Sequence, residues 1–349
     1  MRDDAPLILF GAFDRHNLGD LLLGEIAAVE AGREVVFAGL AKRDMRAFGA
    51  HEVEALPDVL ADWPQAHRQP PELLHVGGEI LATTAWEAAV MLCDRQRADE
   101  AIARHDRHPG ERDRWAMERL GTSRGLPYVI DAATLPPGSR VRFRAVGGTA
   151  FAGLSAALRR EALAALANAN AASVRDPPTQ AALAAEGLSL PIEPDPAYRV
   201  KRHFGARIAA ASETGEVARL RRAHPAAYLA LQFAAEQADD RTLAALGREL
   251  DDTGLPVLAF RAGAAPWHDD IEAYERLSRF TKRPVRCVET LDIWSICALI
   301  ANAECLMATS LHANLVAQAF ERKLLRSAAL LYASKLDTFL ESVSAPRAS

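Results

Sequence analysis

Cysteine is scarce in this chain: Cys93, Cys287, Cys297 and Cys305 are the only four among 349 residues, and no two form a Cys-x-x-Cys pair. That spacing excludes a disulfide framework and a thiolate zinc site, and four reduced, buried thiols are expected. Basic charge is not in excess either. Lys and Arg number 41 against 46 Asp and Glu, a formal net charge of −5, so the basic face of a nucleic-acid binder is not expected. No apolar run approaches the ~20 residues that cross a membrane. The first residues, Met1-Arg-Asp-Asp-Ala5, carry acids where a signal peptide needs bases and then an apolar core. A soluble, cytoplasmic protein is expected, with peripheral contact to a membrane surface left open. His105 and His108 are three apart, but they lie among arginines that would repel a cation and read as a solvated face. Neither a structural metal nor a cofactor is expected, with a divalent ion loosely bound alongside a substrate left open. Low-complexity linkers and short tandem repeats are absent too.

What the chain has is enough apolar sequence, 50% of its residues, to fill two cores. An apolar run at 7–13 ends in the polar turn 14–20. Leu22, Ile26 and Val29 then give the next segment one apolar helical face. Such a strand–loop–helix unit sets the free N–H groups of a helix start at the carboxyl edge of a sheet, where anions bind. Residues 34–40, 73–79, 127–131, 143–148 and 171–176 read as further strands. Helical stretches at 84–92 and 150–167 lie among them, with a short helix plus loop at 58–71 and a charged region at 94–119. Asp176 before Pro177 predicts a helix start, a capping carboxylate and then proline at the first helical position, and Gly187 ends that helix. After a rigid Pro-rich segment at 191–196 and the basic stretch 199–203, the alternation resumes. Strands are expected at 227–233, 255–261, 285–289 and 305–310, and helices at 240–250 and 311–320. Another helix, capped by Thr290, buries Ile293, Ile296, Cys297 and Ile300, and a closing helix is expected at 333–343. The pattern predicts an α/β fold: two doubly wound, Rossmann-like domains, residues 1–198 and 199–349, facing each other across a cleft in the GT-B manner.

Four short stretches fall where strands meet helices or turns. They are Asn17-Leu-Gly-Asp20, Gly77-Gly-Glu79, Val174-Arg-Asp176 and Thr309-Ser-Leu-His312. Together they offer backbone N–H groups, a permanent cation and a titratable imidazole, a set suited to a small, multiply charged anion. Gly19 lets the backbone approach a ligand closely, with Asn17 and Asp20 beside it. Arg175 is able to grip a carboxylate or phosphate with two parallel hydrogen bonds. His312, with an imidazole's ordinary pKa of ~6.5, is able to give or take a proton at neutral pH. Each also has a plainer reading. Asn17 or Asp20 is a helix cap, Gly77 and Gly78 make a tight turn, Arg175 joins an ion pair, and His312 is a core histidine.

In that order the stretches resemble the polysaccharide pyruvyl transferase family. The resemblance rests on Asn17-Leu-Gly-Asp20, Val76-Gly-Gly-Glu79, Ser173-Val-Arg-Asp176, Pro194-Asp-Pro196, Ser310-Leu-His312 and Ser334-Lys335-Leu-Asp337. It implies a GT-B-like fold and an enzyme of exopolysaccharide or cell-envelope biosynthesis. Phosphoenolpyruvate would be the co-substrate and a saccharide the acceptor, with a pyruvate ketal as product. It also implies roles: His312 in proton transfer, Asp20 as base or hydroxyl orienter, and Arg175 on the donor with Thr309, Ser310 and the N–H groups beside them. Asn17, Gly19, Gly77 and Gly78 would complete the substrate-binding turns. Many members carry Arg-Leu-His where this chain has Ser310-Leu-His312, so Arg15, Arg261 or Lys335 is expected to supply the missing charge. Glu79 stands where glycine is common, and a carboxylate there would repel the donor. Two other readings stay open: a GT-B glycosyltransferase using a nucleotide sugar, and a saccharide-binding member without catalysis.

Overall fold

The computed structural model describes residues 5–224, 227–331 and 336. Apart from Leu336, the closing helix expected at 333–343 lies outside the described residues, as does Lys335. The chain divides into two compact units. One holds the residues up to Arg15 and from Asp20 to Pro196; the other holds His16–Gly19 and the chain from Ala197 onward.

The first unit carries β1 (Leu7–Phe10), α1 (Leu18–Ala31), β2 (Val35–Gly39), β3 (Arg43–Asp44), β4 (Glu52–Ala55), α2 (Leu56–Ala66) and β5 (Glu72–Val76). There follow α3 (Ala85–Met91), α4 (Arg95–His105), α5 (Pro109–Leu120), β6 (Arg140–Val146), α6 (Ala156–Ala167), β7 (Ala171–Val174) and α7 (Pro177–Ala185). The strands lie in the order β3-β4-β2-β1-β5-β6-β7, parallel except for β3 against β4. All four residues of β1 are buried, as a central parallel strand covered on both faces requires. Strand order reverses between β1 and β5, so the crevice that binds ligands in such sheets opens at their carboxyl ends. Those ends run into the residue 11–15 turn and into Gly77-Gly-Glu79.

Several expectations shift. Residues 127–131 form no strand: Tyr128 and Val129 are buried, but the Ile130 N–H goes to the His75 ring instead of a neighbouring strand. Val29 is 51% exposed, and the buried face of α1 is Leu18, Leu22 and Ile26. The charged region at 94–119 is two helices, one capped by Asp94 and one opened by Pro109, and His105 stacks on Trp115. Strand β4, Glu-Val-Glu-Ala, is too polar to announce itself because it lies near the sheet's edge.

His75 is a core histidine. Its ring stacks on Phe143 at 3.8 Å and meets Phe10 edge-on. Nε2 accepts from the Ile130 N–H at 3.0 Å, which leaves Nδ1–H to donate to the Arg142 carbonyl at 3.2 Å. Burial lowers its pKa to about 3. Between that value and ~6.5 the unfolded chain binds a proton that the folded chain does not, so this group's contribution falls as pH falls. Stability measured by urea unfolding should lose about 1.4 kcal/mol per pH unit from this residue between pH 6 and 4. His75→Gln should flatten the slope by that amount.

The second unit carries α8 (Val200–Ala211), α9 (Gly215–Ala223), β8 (Leu229–Gln232), α10 (Asp240–Thr253), β9 (Val257–Ala259) and α11 (Ile271–Leu277). It continues with β10 (Val285–Cys287), α12 (Ile293–Ala301), β11 (Cys305–Ala308), α13 (Leu311–Ala319) and β12 (Lys323–Leu324). Its sheet is parallel, in the order β10-β9-β8-β11-β12, and reverses between β8 and β11. Helix α12 is buried on more than the expected stripe, including Trp294, Ala298 and Leu299. Asp292 caps it, accepting from Ser295 N, while Thr290 supports the turn before it. Cys93, Cys297 and Cys305 are buried, Cys287 is half-buried, and all four thiols are free. Among the described residues, no helix is long and apolar enough to cross a membrane, and no His, Cys, Asp or Glu cluster of metal-binding size occurs.

Candidate functional site

In the second unit, the switch point between β8 and β11 gathers most of the expected polar groups. Strand β11 ends at Ala308, and Ser310 caps α13, its hydroxyl accepting from Ala313 N. The cap aims the first N–H groups of the helix at the sheet edge and places His312 in the first turn. At the end of β8, Gln232 turns its amide oxygen to the Ser310 N–H at 2.8 Å, with the Thr309 hydroxyl at 3.5 Å. Its amide nitrogen donates to Asp269 Oδ1 at 2.8 Å.

The His16–Gly19 turn lies against this edge. Leu18 N donates to the Ala262 carbonyl at 2.7 Å, and Ala264 N donates to the His16 carbonyl at 3.3 Å. Asn17 acts as a cap, its Oδ1 accepting from the Gly19 N–H at 2.9 Å, and its amide nitrogen reaches His268 Nε2 at 3.3 Å. His268 Nδ1 faces the Pro266 carbonyl at 3.1 Å, so that nitrogen carries the proton and Nε2 accepts from Asn17. The His312 imidazole presses on Gly19, where a side-chain Cβ would overlap its Nδ1, Cε1 and Cγ atoms. Glycine at position 19 is therefore a steric requirement of where His312 sits. His16 donates through Nε2 to the Leu291 carbonyl at 2.9 Å, and burial lowers its pKa to about 4, so it is neutral. Arg261, which donates to the Glu289 carbonyl, is within electrostatic reach of both His16 and Asp269.

The first unit holds the other candidates. Gly77 and Gly78 both take left-handed backbone, φ 47° and 71°, and a Cβ at Gly78 would stand 2.8 Å from Asp20 Oδ1. Asp20 lies 3.4 Å from Arg15 Nη2, and Arg15 Nη1 donates to the Tyr128 hydroxyl at 2.8 Å. That hydroxyl donates in turn to Asp14, which also accepts from Leu40 N and Ala41 N. Burial pushes the Asp14 carboxyl up, against the pull of Arg15. Burial works against the Arg15 charge, but Tyr128, Asp20 and Asp14 outweigh it and its pKa rises.

Arg175 follows β7 and is buried. Its guanidinium is given to protein acids: Nη2 to Glu79, Nη1 to Asp195 at 3.1 Å, and Asp176 within 3.9 Å of Nε. Burial opposes its charge, yet Glu79, Asp195 and Asp176 raise its pKa. Glu79, read from the sequence as repelling a donor, is here the partner of Arg175, and it also accepts from Thr149 N and Oγ1. Asp176 caps α7 as expected, accepting from Thr179 N at 2.7 Å. A bulge in β6, with Ala145 at φ 48°, brings Gly147 to this pair: its N–H donates to the Gly78 carbonyl, and a Cβ on it would meet Glu79 and Arg175. Arg175→Met would leave three carboxylates facing one another without a cation. The substitution should cost about 3–5 kcal/mol in urea unfolding.

Sequence reasoning missed Gln232, Asp269, His268, Asp14 and Tyr128. Gln232 had a signal, a polar residue ending an apolar strand; Asp269 lies in a loop and had none beyond its composition.

Two Rossmann-like units with mainly parallel sheets define a GT-B-like α/β fold. The fold is similar to the UDP-GlcNAc 2-epimerase of Methanocaldococcus jannaschii, with TM-score 0.50, 10% identity, and 97% of this chain and 91% of that one covered. It is similar to S. aureus MnaA in its UDP co-structure at the same TM-score, 0.50, with 9% identity and 93% and 79% covered. A comparison with curated proteins returns no significant match. The family model for polysaccharide pyruvyl transferase matches residues 121–323, more than half of the chain. The chain belongs to that family, and it is a polysaccharide-modifying transferase.

Proposed function

We propose that the chain transfers the enolpyruvyl group of phosphoenolpyruvate to two hydroxyls of a saccharide, forming a pyruvate ketal. Family membership supports the reaction class. The observation that carries the reading is the His312 imidazole in the capped first turn of α13, at a switch point and against the glycine of the Asn17–Asp20 turn.

The chemistry follows from the donor. A proton added to the enol methylene makes a methyl group and leaves an oxocarbenium-like carbon. A sugar hydroxyl attacks that carbon and loses its proton. The C–O bond to phosphate then breaks, inorganic phosphate departs, and a second hydroxyl closes the ketal. Two hydroxyl protons are released; one balances the proton placed on the methyl group and the other leaves with phosphate. His312 is assigned the proton transfer and Asp20 the orientation or deprotonation of a hydroxyl. Because Arg175 is neutralised by Glu79 and Asp195, donor charge is assigned to Arg261, helped by Ser310, Thr309 and the N–H groups opening α13.

The test is release of inorganic phosphate from phosphoenolpyruvate in the presence of simple glycosides whose hydroxyl pairs lie close enough to share one carbon. Thermal shift with phosphoenolpyruvate and with UDP-sugars, added separately, accompanies it. Phosphate release that depends on the acceptor supports the reading. Stabilisation by nucleotide sugars alone, with no phosphate released, replaces it with the glycosyltransferase reading.

A further inference from the structure

Asp269 lies on the loop between β9 and α11, and the chemistry above gives it no part. Its hydrogen bonds give it one. Oδ2 accepts from two backbone donors, Ala262 N at 2.6 Å and Gly263 N at 3.4 Å, while Oδ1 accepts from the Gln232 amide nitrogen at 2.8 Å. The Gln232 amide oxygen then accepts from the Ser310 N–H at 2.8 Å. Donor and acceptor roles in this chain are fixed at both ends, because a carboxylate only accepts and a backbone N–H only donates. The amide between them therefore has one satisfying orientation. A proton on Asp269 reverses this. With Oδ2 held by two N–H groups, the proton sits on Oδ1, and the acid becomes a donor toward Gln232. Gln232 answers it by turning its oxygen to Asp269, which sets its NH2 group against the Ser310 N–H, donor against donor.

We propose that Asp269 is a positioning residue for this edge. As a carboxylate it locks the Gln232 amide so that Ser310 is held; protonated, it frees Ser310 and loosens the turn that carries His312. The relay stands on the hydrogen-bond geometry alone, and only its effect on catalysis rests on the role assigned to His312. The window suits a working enzyme, since burial pushes the Asp269 carboxyl up to about 7 against the pull of the N–H donors and Arg261. Three of the titratable groups around it lie outside that window. The hydroxyl of Tyr274 on α11 is held well above its usual range by burial, the thiol of Cys287 is pushed to about 11, and His16 stays neutral down to about 4. His268, next in the chain, has its proton on the nitrogen facing Pro266.

Hydrogen exchange by mass spectrometry on the full chain tests this. Peptides spanning Ser310 are compared at pH 6 and pH 8, with rates corrected for chemical exchange. In the wild type the Ser310 amide should be roughly tenfold less protected at pH 6, as expected for a site governed by one group titrating near the middle of that range. Asp269→Asn, whose amide imitates the neutral acid, should show the low value at both pH values. Gln232→Met, which breaks the relay without touching the carboxyl, should do the same and serves where the first variant fails to fold. Unchanged wild-type protection between the two pH values, or wild-type protection in Gln232→Met, would overturn the proposal. Phosphate release is then read on the same proteins. If exchange behaves as expected but kcat does not fall in parallel while KM is unchanged, the relay stands and the role of His312 fails.

Discussion

Replacing His312 with alanine should lower kcat for phosphate release by about a hundred- to ten-thousand-fold, the range usual for loss of a positioned proton-transfer group. KM for phosphoenolpyruvate should change far less, because the imidazole is assigned to the proton, not to holding the donor's charge. The fold should survive. His312 is buried in the first turn of α13, but the helix is capped by Ser310 and anchored by Asn314, whose amide donates to the Ala308 and Ser310 carbonyls. Thermal unfolding close to wild type alongside a collapsed kcat is the expected pair of results. A variant that keeps its kcat would remove His312 from the mechanism.

The second large effect comes from a residue with no chemistry of its own. Gly19→Ala adds one methyl group where the His312 ring already lies, so the ring or the turn must move. Displacements on the scale of an ångström cost about a hundredfold in rate when they misplace a catalytic group. The expected outcome is a kcat reduced by about that factor, with helix α1 intact because alanine favours helix over glycine. The informative companion is the double variant Gly19→Ala with His312→Ala. If glycine serves only to seat the imidazole, the double variant should be no slower than His312→Ala alone. Additive losses would give Gly19 an independent role.

How much of this was readable before the fold was known depends on how local each signal is. The turn at 14–20, the glycine pair after β5, the Asp176–Pro177 helix start and the Ser310–His312 turn all announce themselves, because a strand end must be followed by residues that turn, cap or bind. The partners of those residues do not. Arg175 finds Glu79 across 96 positions and Asp195 across 20, so its neutralisation belongs to the folded sheet and leaves no trace in spacing. Asp269 meets Gln232 for the same reason, through the parallel order β9-β8-β11 that sets the loop after β9 beside the end of β8. The false strand at 127–131 shows the converse. Its Tyr-Val-Ile run has strand composition, but β5 and β6 already pair with each other, and the segment's N–H goes to His75 instead.

The central claim is that the donor's methylene carbon receives a proton and becomes a ketal methyl on the saccharide. Running the reaction with phosphoenolpyruvate and a diol-bearing glycoside in deuterated water, and reading the product by NMR and mass spectrometry, tests it most directly. The account predicts a ketal whose methyl group carries one deuterium from solvent, formed in step with inorganic phosphate and lost in His312→Ala. A product that keeps the methylene, or an acceptor that gains a sugar in place of a pyruvyl group, would contradict it.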